Sequence, residues 1–133
     1  MQAALLIGIG GAIGSVARYG LGELRARWLG AGFPYGTLAA NILGSMLIGM
    51  LAGLLGVDGR PLLPMPLRLL LMTGFCGGFT TFSAFSLQTM ELIQGGSWER
   101  AALYVLASLV TCLLGVWAGW TLALAINSSR GLV

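Results

Sequence analysis

The chain has 133 residues, 57% of them apolar and only 8% charged. A soluble domain carries about three times that share of charge, so composition excludes the soluble globular class. The net charge of +3 comes from arginines and a few acidic residues in loops and at helix ends, which reads as interfacial anchoring and not as a nucleic-acid footprint. Cys76 and Cys112 lie inside apolar segments and read as inert thiols, supporting neither a disulfide framework nor a metal site.

At about 20 apolar residues per crossing, the chain accommodates four spans in a single transmembrane domain covering residues 1–133. The N-terminus has no basic n-region and no small-residue cleavage site, so it reads as a retained span. The first span runs from about Ala3 to Gly22, with Gly10 and Gly14 forming a small-residue face. Arg18 and Tyr19 close it, the arginine snorkelling to the interface. A loop from Glu23 to Pro34 carries Arg25 and Arg27, and the second span continues from Pro34 to about Gly56. Thr37, Asn41 and Ser45 fall four apart and share one face, which Gly49 and Gly53 extend. An asparagine at membrane depth must find partners, through interhelical hydrogen bonds or a water-lined path.

Asp58-Gly59-Arg60-Pro61, with Pro64 and Pro66 beyond, is a turn and helix stop. The third segment runs from Arg68 to about Gln94. Gly95-Gly96-Ser97 is a tight connection with Ser97 as N-cap of the last helix. The fourth span, about Ala101 to Ile126, sets Tyr104, Ser108, Thr111 and Cys112 along one face, continued by Gly115 and Gly119, with Trp117 and Trp120 towards the far interface. Asn127-Ser128-Ser129 matches a glycosylation acceptor, a pattern too short to use.

The third segment is unusual. Gly77 and Gly78 each cost a helix interior about 1 kcal/mol relative to alanine, and four hydroxyl residues follow them, interleaved with Phe82 and Phe85. Two half-helices meeting near the bilayer centre are expected. The end of the first would offer carbonyls to a cation, and the start of the second would offer amides to an anion. The chain has no histidine and no Asp, Glu or Lys in a span interior, Glu91 being near an end, so a proton-coupled relay is disfavoured. Thr37, Asn41, Ser45, Thr80, Thr81, Ser83, Ser86, Tyr104, Ser108 and Thr111 line the candidate path with neutral groups able to replace the water of a small anion. The bland alternative is that the hydroxyls bond back to the preceding turn. Phe82 and Phe85 lie about 60° apart around a helix, either as packing or with their positive ring edges toward an anion.

With four spans, Arg60, Arg68 and Arg130 share one side, and Arg18, Arg25, Arg27 and Arg100 the other. So even a balance predicts insertion in both directions, and inverted copies can pair about a two-fold axis in the membrane plane. Small faces on the first, second and fourth spans would permit close dimer packing.

Gly74-Phe75-Cys76-Gly77-Gly78-Phe79-Thr80-Thr81-Phe82-Ser83-Ala84-Phe85 resembles the signature of the small bacterial fluoride channels, the Fluc or CrcB-type family. Gly36-Thr37-Leu38-Ala39-Ala40-Asn41 with Gly44, and Gly10-Gly11 with Gly14 and Arg18, match its other two marks in order. The resemblance implies an all-α membrane protein of four helices, assembled as an antiparallel dual-topology homodimer in the bacterial inner membrane. Its activity would be passive export of fluoride through two pores. It further implies a structural sodium ion at the subunit interface, held by backbone carbonyls of Gly77 and Thr80 from both copies. Phe82 and Phe85 would meet fluoride through their ring edges, and Asn41 would hydrogen-bond in the pore. Thr81 and Ser83 would belong to a polar track, with Tyr104 and Ser108 lining the pore from the fourth helix. Many members carry Thr at the position of Ala84 and commonly Glu at that of Gln88, so this chain lacks one track hydroxyl and one vestibular carboxylate.

Two other readings remain. A small dual-topology proton-coupled exporter has similar length but ordinarily needs a carboxylate inside the first span. A non-transporting membrane subunit would pack through its glycine faces. An enzyme is not expected, since no nucleophile and base pair, metal cluster or phosphate loop is present.

Overall fold

A computed structural model describes residues 1–30, 32–54 and 63–129, and among these every regular element is helical. The expected Asp58-Gly59-Arg60-Pro61 turn, the end of the second span at Gly56 and Arg130 lie outside the described residues. In chain order the elements are α1 (Gln2–Leu29), α2 (Tyr35–Gly53), α3 (Met65–Arg68), a π-helical segment (Leu69–Cys76), α4 (Gly77–Phe79), α5 (Phe82–Gln94) and α6 (Trp98–Ser129). They make four helical stretches long and apolar enough to cross a membrane: Gln2–Trp28, Tyr35–Gly53, Met65–Gln94 and Trp98–Ser129.

Helix α1 outruns its expected end at Gly22. The residues expected as a loop, Glu23 to Arg27, are strong helix formers, with Glu23 and Arg27 four apart on one face, and they carry the helix on to Leu29. Pro66 sits in the first turn of α3, where its missing N–H has no helical partner to lose. The tight connection after α5 is a Schellman turn. Gly96 takes φ +75°, its N–H bonds Ile93 O, and the Ser97 N–H bonds Leu92 O. Ser97 then occupies the position before α6, its carbonyl accepting the Ala101 N–H at 3.0 Å.

Large apolar side chains face outward, Leu5, Ile9, Ile13 and Val16 on α1 and Leu103, Leu106, Leu109 and Leu113 on α6 among them, while the buried positions include Ala40, Ala101 and Ala123. Lipid is as apolar as leucine, so helix contacts in a membrane rest on close approach of small residues and not on burial of large ones. Two seams do this work. Along the first, α1 packs on the third segment: a Cβ on Gly14 would collide with Phe75 O, and one on Gly78 with Gly11 O. Along the second, α2 packs on α6: a Cβ on Gly49 would collide with Val116 O, and one on Gly119 with Met46 O. The glycine faces expected to serve dimer packing are therefore occupied inside one chain, because backbone within van der Waals reach fills them. Asn127, whose sequence pattern matched a glycosylation acceptor, is 1% exposed and donates from Nδ2 to Gly53 O at 3.1 Å, tying α6 to the end of α2.

Gly119→Ala should cost about 1–3 kcal/mol by forcing α2 and α6 apart, whereas Gly20→Ala, which meets nothing within 4 Å, should be tolerated. Thermal unfolding of the two purified variants in detergent separates them, and equal melting temperatures would contradict the seam.

Candidate functional site

Helical geometry continues through Gly77 and Gly78 to Phe79, and the next two residues are extended: Thr80 at φ −86°, ψ 157° and Thr81 at φ −156°, ψ 117°. The interruption predicted at Gly77-Gly78 thus falls at Thr80-Thr81. Tertiary packing overrides the glycine propensity, since Gly78 is required against Gly11 as a helical residue. The threonines, by contrast, offer hydroxyls that compete with helical bonding. Thr81 is the N-cap of α5, its Oγ1 accepting the Ala84 N–H at 3.2 Å.

Two extended residues take peptide groups out of the helical ladder, and each must be paired elsewhere. Asn41 Oδ1 accepts the Thr81 N–H at 2.8 Å, and Asn41 Nδ2 donates to Thr81 O at 3.1 Å. One carboxamide on α2 closes on Thr81 as a neighbouring strand would. Cys76 O accepts both the N–H and the hydroxyl of Thr80, at 2.9 and 2.8 Å. Gly78 O accepts from Arg18 Nε at 3.2 Å and from Ser15 Oγ at 3.4 Å. Arg18, expected to snorkel to the interface, instead reaches the end of α4, where a cation complements the helix dipole. The carbonyls of Gly77, Phe79 and Thr80 receive no donor among the described residues.

A cavity of about 480 Å³ adjoins this break, lined by Asn41, Gly77, Thr80, Thr81, Phe82, Phe85 and Ser108 among others. Phe82 and Phe85 are neighbours as expected, ring centroids 5.2 Å apart at 48°, but they differ in setting: Phe82 is 74% exposed and Phe85 8%. Ser108 is buried, and its Oγ makes no hydrogen bond among the described residues. Thr81 Oγ1 and Ser83 Oγ are hydrogen-bonded at 3.1 Å, with either hydroxyl able to donate, and Ser83 itself is exposed.

Tyr104 does not line this cavity. It is fully buried behind Phe85, with ring centroids 5.2 Å apart, and also meets Phe33 edge-on at 5.4 Å. Its hydroxyl donates to Gln88 Oε1 at 3.0 Å. Phe33, Gln88 and Thr37 belong to a second cavity of about 360 Å³, which Arg25 and Glu91 also line. Thr37 therefore lines this second cavity, whereas Asn41 and Ser45 line the first. Ser86 and Thr111, expected on the path, commit their hydroxyl protons to Phe82 O and Ala107 O in the preceding turn.

The family model described as "CrcB-like protein, Camphor Resistance (CrcB)" matches residues 5–120. The chain belongs to the CrcB-like family. It is 48% identical over 131 residues to the "Fluoride-specific ion channel FluC" of Opitutus terrae, covering 98% of this chain and 99% of that one. It is 50% identical over 123 residues to the protein of the same name from Rhodospirillum rubrum (92% and 95% covered), and 48% identical over 122 residues to that of Paramagnetospirillum magneticum (92% and 95%). With four span-length helices, this CrcB-like chain is a multi-pass membrane protein. Its relatives are ion channels, and it is not an enzyme.

Sequence reasoning missed two features of the CrcB-like site. The Arg18 contact had a signal: the one guanidinium within the expected first span, Ala3 to Gly22, one turn beyond a glycine face. The Tyr104-Gln88 bond had none, since 16 positions separate them on different helices. Asn41→Leu leaves both peptide groups of Thr81 unpaired and should cost about 2–6 kcal/mol. Thermal unfolding in detergent reads this directly, and a wild-type melting temperature would show that the clasp is dispensable.

Proposed function

We propose that this chain is a passive, fluoride-selective channel that relieves the cytoplasm of fluoride, working in the bacterial inner membrane as an antiparallel dual-topology homodimer with two pores. The observation that carries the reading is the meeting of Asn41, Thr81, Phe82, Phe85 and Ser108 at one cavity beside the Thr80-Thr81 interruption, in a chain about half identical to proteins named fluoride-specific ion channels. We place that interruption near the middle of the bilayer.

A small halide gives up its water only where other donors replace it, and it leaves again only if no full charge traps it. Asn41 Nδ2 has a second hydrogen beyond the one given to Thr81 O, and the Ser108 hydroxyl has no competing partner among the described residues. The ring edges of Phe82 and Phe85 add weak positive potential. Thr81 belongs to the polar lining and Ser83, hydrogen-bonded to it, continues the track outward, while Tyr104 stands between the two cavities. The acidic residues of the described helices, Glu23, Glu91 and Glu99, lie toward helix ends, so a proton-coupled exporter lacks its relay. Hydrogen fluoride enters a cell as a neutral acid and dissociates in the less acidic interior, so an anion leak suffices to lower internal fluoride.

The dimer reading is supported by the unfinished side of the site in one copy, where Phe82 is mostly exposed and a Cβ on Gly77 would meet nothing within 4 Å. It is also supported by charge. With Arg18 engaged inside the span, Arg25, Arg27 and Arg100 on one side balance Arg60, Arg68 and Arg130 on the other, which favours neither orientation. A structural sodium ion fits the same place: the Gly77 and Thr80 carbonyls are hard oxygen donors at a helix end without donors of their own among the described residues. Those four carbonyls, two from each copy, would hold it, and the ion would supply the positive charge that neutralises their dipoles and ties the copies together.

Purified protein in liposomes should release fluoride without consuming a proton gradient and pass little chloride; flux that requires the gradient would favour the exporter, and equal flux of both halides would defeat the selectivity. Phe82→Ile should slow fluoride release up to about tenfold by removing the ring edge, whereas wild-type flux would assign Phe82 to packing.

A further inference from the structure

We infer that Arg18 is a positioning residue for the carbonyl cluster at the end of α4, and that it sets the affinity of that cluster for a small monovalent cation. The inference rests on the sodium reading above.

Its backbone is fixed before its side chain acts. Gly14, one turn earlier on α1, sits against Phe75 O and the Phe79 N–H group, and Gly78 sits against Gly11 O. This rigid seam sets the guanidinium beside one carbonyl in particular. Arg18 Nε donates to Gly78 O at 3.2 Å, with Ser15 Oγ behind it at 3.4 Å. The neighbouring carbonyls are treated differently: Cys76 O is taken by Thr80, while those of Gly77, Phe79 and Thr80 have no donor among the described residues.

Consecutive carbonyls at a helix end point the same way along the axis and repel one another unless a donor or a cation sits among them. Without Arg18, Gly78 O would keep only the longer bond from Ser15 Oγ at 3.4 Å, and movement of its peptide plane would disturb Gly77 O on one side and the extended Thr80 peptide on the other. Holding Gly78 O from α1 leaves the Gly77 and Thr80 oxygens in a fixed relation that a cation can use without reorganising them. Arg18 also brings a positive charge near the cation, which opposes binding. Partners that orient metal ligands typically change affinity 10–100-fold when removed, and we assign the larger effect to orientation.

The full chain, purified in detergent, is unfolded thermally with tryptophan fluorescence as readout, sodium chloride replacing N-methylglucamine chloride at constant ionic strength. Wild type should gain melting temperature with sodium, and Arg18→Gln should move the midpoint of that gain upward about tenfold. Arg18→Lys, which keeps the charge but not the planar fork, should fall between the two. An unchanged or tighter midpoint in Arg18→Gln would overturn the inference while leaving the cation site intact, and tighter binding would mean that repulsion dominates. Should Arg18→Gln fail to fold, a wild-type midpoint in Arg18→Lys overturns it equally. A wild type indifferent to sodium would remove the cation site itself, and the role of Arg18 with it.

Discussion

A peptide group surrounded by hydrocarbon has no water to turn to, and Thr81 carries two that its own helices do not satisfy. The side chain of Asn41 answers both at once, accepting from the N–H and donating to the carbonyl. A carboxamide gives and takes along one edge without needing to be protonated, and glutamine, the other such side chain, is one methylene longer. The extended pair Thr80-Thr81 can exist inside an apolar span because this carboxamide stands opposite it. Every other feature of the site, from the cap on α5 to the paired phenylalanine rings, follows from the chain restarting its helix just after that residue.

The glycine seams bring Asn41 within reach. Helix α2 is pressed onto α6 through Gly49 and Gly119, and farther up the same helix a Cβ on Gly44 would strike Thr80 Cγ2. Asn41 and Gly44 thus form one unit, the first bonding the extended backbone and the second making room for it. The opposite side of the break is held by α1, whose own seam carries Arg18 to Gly78 O. The two helices clamp the third segment from separate directions. Neither clamp uses a large apolar side chain, consistent with the outward display of leucine and isoleucine along α1 and α6.

Much of this was legible in the sequence. Four apolar stretches and a near absence of charge fix the number of spans, and a hydroxyl-rich run inside one of them marks the site. Asn41 stood out because an amide at that depth has to be paired. The break was misplaced by three residues because helix propensity counts glycine as a breaker, whereas contact with Gly11 needs Gly78 to be helical and bare. The same cause hid the partners of the glycine faces: a small-residue stripe says that something approaches closely, not whether that something is the same chain. Nor does composition reveal where a hydroxyl proton goes. Ser86 and Thr111 look like Ser108 in sequence, yet the first two bond back into their own helices and Ser108 does not. The π-helical turns of Leu69–Cys76, which pack against α1, left no trace in residue pattern either.

The separation of charge around the break bears on how the proposed channel would conduct. A guanidinium free in a low-dielectric path would hold a small anion too firmly for release, and this chain has an arginine a short distance away. Its Nε proton is committed to Gly78 O, so part of its field is opposed by the dipole of α4 and its direction is set by a bond. The residues that line the cavity are all uncharged, Asn41, Ser108, Phe82 and Phe85 among them. Carbonyls without donors among the described residues gather at the end of one helix, and donors without partners among those residues lie on α2 and α6 beside the start of the next. In the proposed channel, oxygen dipoles suited to a cation and hydrogens suited to an anion would thus sit on different groups around one cavity, the first on Gly77 and Thr80 of the third segment and the second on Asn41 of α2 and Ser108 of α6.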